Sequence, residues 1–121
     1  MGFPVLICDD SALARKLVSK SLPENFASHI HTASHGLEAM QLLAEHQVAL
    51  LFLDLTMPIM DGIRVLEEIK HKCLEVFVIV ISGDVQPLMK QKVMALGALD
   101  FIEKPVDQSK LLAILHKFGL Y

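Results

Sequence analysis

The chain predicts an α/β fold, a doubly wound parallel sheet with helices on both faces. Two patterns carry that prediction. Short, nearly continuous apolar runs alternate five times with stretches whose apolar residues recur at helical spacing. Runs that are apolar throughout suit parallel strands buried on both sides. A third observation concerns where the runs stop. "PVLICDD" ends on Asp9 and Asp10, "ALLFLDL" ends on Asp54, "VFVIVIS" on Ser82 and "LDFIEKP" on Lys104.

Taken in order, Val5 to Cys8 form the first strand. Asp10 or Ser11 caps the helix that follows, where Leu13, Leu17 and Val18 share a face, and Pro23 closes it. Ser28 to Ala33 have only Ile30 and Ala33 as apolar residues and read as an edge strand. Leu37, Met40 and Leu43, with Ala44, space a second helix through His46. Ala49 to Leu53 form a strongly apolar third strand, and "TMPIMDG" turns out of it. Asp61–Gly62 in that stretch is a turn signal to which no chemistry is assigned. Ile63, Val65, Leu66 and Ile69 mark the third helix. Val76 to Ile81 form a fourth strand dominated by β-branched residues. Pro87 suits a helix N-terminus, Leu88, Met89, Val93 and Met94 follow, and Gly97 fits a C-cap. Leu99 to Ile102 form the fifth strand. Asp107 caps a last helix carrying Leu111, Leu112, Leu115 and Phe118.

The 121 residues suffice for one domain with a real core, with 53% hydrophobic and 21% charged residues. No apolar stretch approaches the roughly 20 residues that cross a bilayer. No signal peptide or myristoylation pattern is visible at the N-terminus. A formal net charge of −3 argues against nucleic acid as a direct partner. Cys8 and Cys73 are too few and too isolated for a disulfide framework or a zinc site, and two thiols without an export signal point to a reducing cytoplasm. Cys8, inside an apolar run, reads as a small buried hydrophobe. His29 and His31 share one face of a strand, and with no third ligand expected nearby they read as a surface pair.

If the runs are neighbouring parallel strands, three carboxylates, a hydroxyl and an ammonium converge at the carboxyl edge of the sheet. Ligands of open α/β sheets bind there, where strand order reverses. Three adjacent carboxylates repel one another unless a cation joins them. Hard oxygen ligands without His or Cys suit Mg²⁺.

The acidic pair after strand one, "DLTMPIMDG" after strand three, Ser82 after strand four and "KP" after strand five resemble the response-regulator receiver domain, the CheY-like family of two-component signalling. The resemblance spans residues 1–121 as one receiver domain. It implies a flavodoxin-like (βα)5 sheet of order 2-1-3-4-5. It also implies that Asp54 accepts a phosphoryl group and that Asp9, Asp10, Asp54 and the Thr56 carbonyl serve Mg²⁺, for which Mn²⁺ substitutes. Asp10 would be a direct ligand, and Asp9 would act mainly through a metal-bound water. Lys104 would pair with Asp54 and then with the phosphoryl group. Ser82 would donate to a phosphoryl oxygen, Phe101 is the matching aromatic switch position, and Lys104–Pro105 matches a cis peptide. Thr56 and Asp84 fall at positions that tune the lifetime of the phosphorylated state. The implied partners are a histidine kinase or phosphotransfer protein, a downstream effector protein or domain, and a second copy through helix 4, strand 5 and helix 5. Neither nucleic acid nor membrane is implied.

Rival readings fit less well. A haloacid-dehalogenase-like phosphatase needs a second acid two residues past its nucleophile, where this chain has Thr56. A multiple-turnover enzyme is therefore not expected. A flavodoxin-like nucleotide binder needs a phosphate-cradling loop after strand one, where "CDDSALARK" has no glycine and two negative charges. A degenerate receiver that acts only as a protein-interaction module would not need all of Asp9, Asp10, Asp54, Ser82 and Lys104.

Overall fold

Apolar runs of this length bury their side chains only by pairing side by side and taking helices on both faces. The computed structural model describes residues 2–121 and has that architecture. Its elements are β1 (Phe3–Cys8), α1 (Ala12–Ser21), β2 (Ala27–Ala33), α2 (Gly36–Glu45), β3 (Leu50–Asp54), α3 (Gly62–His71), β4 (Phe77–Ser82), α4 (Pro87–Ala95), β5 (Asp100–Glu103) and α5 (Gln108–Lys117). The strands form one parallel sheet of order β2-β1-β3-β4-β5. The fold is flavodoxin-like, and β2 lies at an edge.

The sheet separates two cores. Val5, Ile7, Phe52, Ile79 and Ile81 face Val18 of α1 and Leu111 and Leu115 of α5. Leu6, Cys8, Leu51, Leu53, Val78 and Val80 face Ala39 of α2, Val65, Leu66 and Ile69 of α3 and Val93 of α4. Strands β3, β4 and β5 begin and end one residue later than their apolar runs. Backbone pairing continues through the polar ends, Asp54 opposite Ile81 and Ser82 opposite Glu103. Ladder hydrogen bonds do not depend on the side chain, so the apolar pattern cannot mark where they stop.

Two helices bury less than their spacing suggests. In α1, Val18 is buried, but Leu13 is 68% exposed and Leu17 lies open as well. With Ala14, Pro105 and Val106 they line a shallow apolar cleft that leads to Asp9 and Lys104. In α4, Val93 is buried and Met89 packs on the core, while Leu88 and Met94 face outward. Helix α2 stops at Glu45, with His46 as its C-cap and Leu37 exposed.

The caps explain where the helices start. Ser11, not Asp10, accepts the Ala14 N–H, and Asp107 accepts that of Lys110. His35 Nδ1 accepts the Glu38 N–H, a cap absent from the sequence reading because histidine is not among the favoured N-cap types. Asp61 accepts the Arg64 N–H and so caps α3, which gives the Asp61–Gly62 turn a second job. Gly62 itself answers a steric demand. A Cβ there would press into the carbonyl oxygen of Asp54 and stand 2.8 Å from Leu55 Cα, both rigid backbone atoms. The Gly62 N–H also donates to Leu55 O at 2.9 Å, which draws α3 against the end of β3.

Gly62→Ala is therefore expected to destabilise the domain by about 1–3 kcal/mol through overpacking, a fall in Tm of several degrees. Thermal unfolding by circular dichroism measures it. A Tm within about a degree of wild type would mean that the β3–α3 loop shifts freely to admit a methyl group.

Candidate functional site

The order of the sheet reverses at β1, which has β2 on one side and β3 on the other. Cys8 stands opposite Leu53 in the β1–β3 register, so the next residues, Asp9 and Asp54, leave the sheet at one level. Both are buried, at 3% and 5% exposure, whereas Asp10 is exposed. Carboxylate oxygens of Asp9, Asp10 and Asp54 all lie within 4.8 Å of one another. The donor set is three hard oxygens at a partly dry strand end, which fits Mg²⁺ or Mn²⁺ and not a soft metal.

Lys104 enters from the far side of the sheet. Its Nζ is 2.9 Å from Asp9 Oδ2 and 3.3 Å from Asp54 Oδ1, so the closer pairing is with Asp9. Two features aim it. Its N–H donates to the Ser82 carbonyl at 2.9 Å, and the Lys104–Pro105 peptide bond is cis. Asp9 is shared: its Oδ1 accepts the Ser11 N–H at 2.9 Å, tying the acidic site to the start of α1. Arg15 adds a link that no sequence pattern announces, its Nη1 donating to the Asp9 carbonyl at 2.8 Å.

Ser82 is buried at the end of β4, one step beyond the level of Asp54. Its Oγ accepts the Asp84 N–H at 3.0 Å. Asp84 is exposed, and its Oδ1 accepts the Gln86 N–H at 3.1 Å, so its carboxylate shapes the lead into α4. Thr56 is exposed just past Asp54. Phe101, on β5, is half-buried: its ring packs on the core and Lys90 Nζ sits 5.5 Å from its centroid.

The electrostatics follow from burial. Asp54 has its pKa raised, first by desolvation and then by the Asp9 charge; Lys104 and the Thr56 N–H oppose the rise without cancelling it. Lys104 is held above its ordinary value, because its bonds and attraction to Asp9 and Asp54 outweigh the opposing desolvation. Cys8, directly before Asp9, is pushed up to about 12 by burial and then by the Asp9 and Asp54 charges, so it stays a thiol.

Fold and site define a flavodoxin-like domain with an acidic, cation-ready pocket at its switch point. Comparison with known proteins narrows that class. Residues 5–116 match the response regulator receiver domain family. The chain is 34% identical over 117 residues to chemotaxis protein CheY of Bacillus subtilis, covering 97% of this chain and 98% of that protein. It is 35% identical over 116 residues to the transcriptional regulatory protein HptR of Staphylococcus aureus, covering 93% of this chain but 45% of HptR. Among solved structures, CheY of Borrelia burgdorferi in a CheX-CheY-BeF3-Mg complex superposes with a TM-score of 0.90 at 33% identity, over 97% of this chain and 89% of that one. The receiver domain of AraT from Geobacillus stearothermophilus gives 0.85 at 34% identity, over 97% and 92%. The chain belongs to the response regulator receiver family of two-component systems.

The raised pKa of Asp54 makes a prediction with a definite sign. An acid whose pKa rises on folding contributes stability that is fully present below its unfolded value, about 3.9. That contribution is lost as pH rises through the native value. At neutral pH the ionised Asp54 therefore opposes folding. Without metal at pH 7, Asp54→Asn is expected to melt higher than wild type, with the gap closing towards pH 4. Mg²⁺ should raise the wild-type Tm. Equal or lower melting of the variant in EDTA at pH 7 would show that Lys104 already neutralises the cluster.

Proposed function

We propose that this receiver domain takes a phosphoryl group onto Asp54 from the phosphohistidine of a kinase or phosphotransfer protein, and so switches its α4–β5–α5 surface for a downstream effector. The observation that carries the reading is the buried Asp54 carboxylate, set among Asp9, Asp10 and Lys104 at the β1–β3 switch point. In the transfer, an Asp54 oxygen attacks phosphorus in line and the P–N bond to the donor imidazole breaks, leaving an acyl phosphate. Water later attacks phosphorus, the bond to the Asp54 oxygen breaks, and phosphate leaves. Two residues past Asp54 stands Thr56, which cannot protonate a leaving group as a second acid would, so we read the domain as a signalling partner and not a multiple-turnover enzyme.

Asp9, Asp10 and Asp54, with the Thr56 carbonyl, would hold Mg²⁺ or Mn²⁺, which supplies positive charge for the phosphoryl oxygens when bound. Lys104 is poised to do the same from the other side, since its Nζ already lies within 3.3 Å of Asp54. The similar Borrelia CheY was captured with BeF3 and Mg, which is the combination these donors suit. All 121 residues act here as one receiver domain, working in the cytoplasm with protein partners and with neither nucleic acid nor membrane. No helix among the described residues is long and apolar enough to cross a membrane. A second copy docked through α4–β5–α5 is one form the output can take.

Ser82 and Phe101 make the switch. The Ser82 oxygen is engaged by the Asp84 N–H, which leaves its O–H for a phosphoryl oxygen. Drawing Ser82 inward opens space beside β5 for Phe101. Full burial of a phenylalanine is worth roughly 1.5–3 kcal/mol, and the half-buried Phe101 can gain only part of that. A hydrogen bond to a charged group adds about 1.5–3 kcal/mol. The sum still moves a two-state equilibrium 10- to 100-fold, roughly the size of a signalling response. A degenerate receiver would leave the acidic cluster and Lys104 without use.

Intact-mass analysis after incubation with acetyl phosphate and Mg²⁺ tests the reading. Wild type should gain one phosphoryl group, and Asp54→Asn or EDTA should abolish the gain. A persistent adduct in Asp54→Asn would move the acceptor elsewhere. The decay of the same adduct reads lifetime: Asp84→Lys, with a long cation where the hydrolytic water approaches, should slow it, and an unchanged rate would remove Asp84 from that step.

Ser82→Ala should still accept phosphate, because Ser82 neither attacks nor binds metal in this scheme. It should lose the NMR shift changes around Phe101 that phosphorylation causes in wild type. Identical changes in both proteins would route the coupling through another residue.

A further inference from the structure

Three histidine rings lie in line at the β2 edge of the sheet, with His31 between His29 and His46. His29 and His31 project from one face of the edge strand β2, the face that Leu6 shares on β1. His46, the C-cap of α2, lies over them. The ring centroids of His29 and His31 are 4.3 Å apart, and those of His31 and His46 are again 4.3 Å apart with the rings stacked. The surface pair expected from the sequence is present and has His46 as a further neighbour; among the described residues the donor atoms that already converge are those of Asp9, Asp10 and Asp54. The third imidazole comes from 15 residues beyond His31, and only the packing of α2 on the sheet brings it there.

We propose that His29, His31 and His46 form a binding site for a late first-row divalent cation, with Zn²⁺ the best match to three imidazoles and a water. Imidazole selects Zn²⁺, Ni²⁺ and Cu²⁺ over Mg²⁺, so this site and the acidic pocket would sort cations by donor type. Alternate residues on a strand supply two ligands on one face, and the end of a packed helix supplies the third. His29 and His46 are exposed and His31 half-exposed, so solvent can fill the fourth position. The rings now stack; side chains this open turn on a picosecond to nanosecond scale, and rotation is what would aim their nitrogens at one ion.

The local field favours a cation independently of the imidazoles. His46 sits at the negative end of α2, whose last turn carries no basic residue and ends on Glu45. A bound ion would tie β2, the weakly apolar edge of the sheet, to the end of α2.

Calorimetric titration of the full chain with Zn²⁺, in saturating Mg²⁺ to occupy the acidic pocket, tests the site. One equivalent of Zn²⁺ should bind wild type and raise its Tm. His31→Ala and His46→Gln should each weaken binding at least tenfold. Asp54→Asn and His116→Ala, whose residues lie outside the cluster, should bind as wild type. Wild-type affinity in His46→Gln, or loss of binding in Asp54→Asn in place of the histidine variants, would overturn the proposal. Circular dichroism of each variant confirms that it folds, and the two separate histidine substitutions keep the result from resting on either one.

Discussion

One ammonium group holds the functional end of this domain together. Lys104 Nζ bridges Asp9 on one strand end and Asp54 on the next, and its own backbone is tied to the end of β4 through the Ser82 carbonyl. Buried carboxylates this close would drive each other towards protonation. The bridge keeps Asp54 closer to its ionised form without removing the strain, since desolvation and Asp9 still hold its pKa raised. A further positive charge beside Asp54 would therefore stabilise its ionised form.

The rest of the site is organised around that tension. Asp9 reaches in two directions, to Lys104 and to the N–H of Ser11, so the acidic cluster is coupled to the first turn of α1. Gly62 lets α3 press directly on the Asp54 carbonyl, which fixes the backbone from which the Asp54 carboxylate projects. On the opposite side, Ser82 and Lys104 end adjacent strands, and the same short segment carries Phe101 towards the surface. β4 lies between Asp54 and β5, and the Asp54 side chain meets Lys104, just past the end of β5, across it.

The two ends of the sheet differ in chemistry. Its carboxyl edge gathers hard oxygen donors around a lysine, and the far side of β2 gathers imidazoles beside the end of α2. The exposed apolar residues are also divided, with Leu13 and Leu17 along the cleft over α1 and Leu88 and Met94 on α4. Val18 and Val93 are the buried apolar residues of these two helices, so apolar surface stays open on both.

By itself the sequence determined the five strand–helix repeats, the edge position of β2 and the residues at the strand ends. Burial on both faces leaves unbroken apolar runs, and a parallel strand must deliver its last residues to a common edge. What the sequence left open depended on partners distant along the chain. That Ser11 and not Asp10 caps α1 follows from which side chain reaches the Ala14 N–H. That Lys104 lies nearer Asp9 than Asp54, and that Arg15 grips the Asp9 carbonyl, depends on how α1 and β5 approach β1. The apolar spacing of α1 and α4 showed a face but not how much of it another element covers. His46 reads as an ordinary helix end until α2 lies on β2. Periodicity records what a residue wants from its environment; only the tertiary structure decides which groups from elsewhere in the chain provide it.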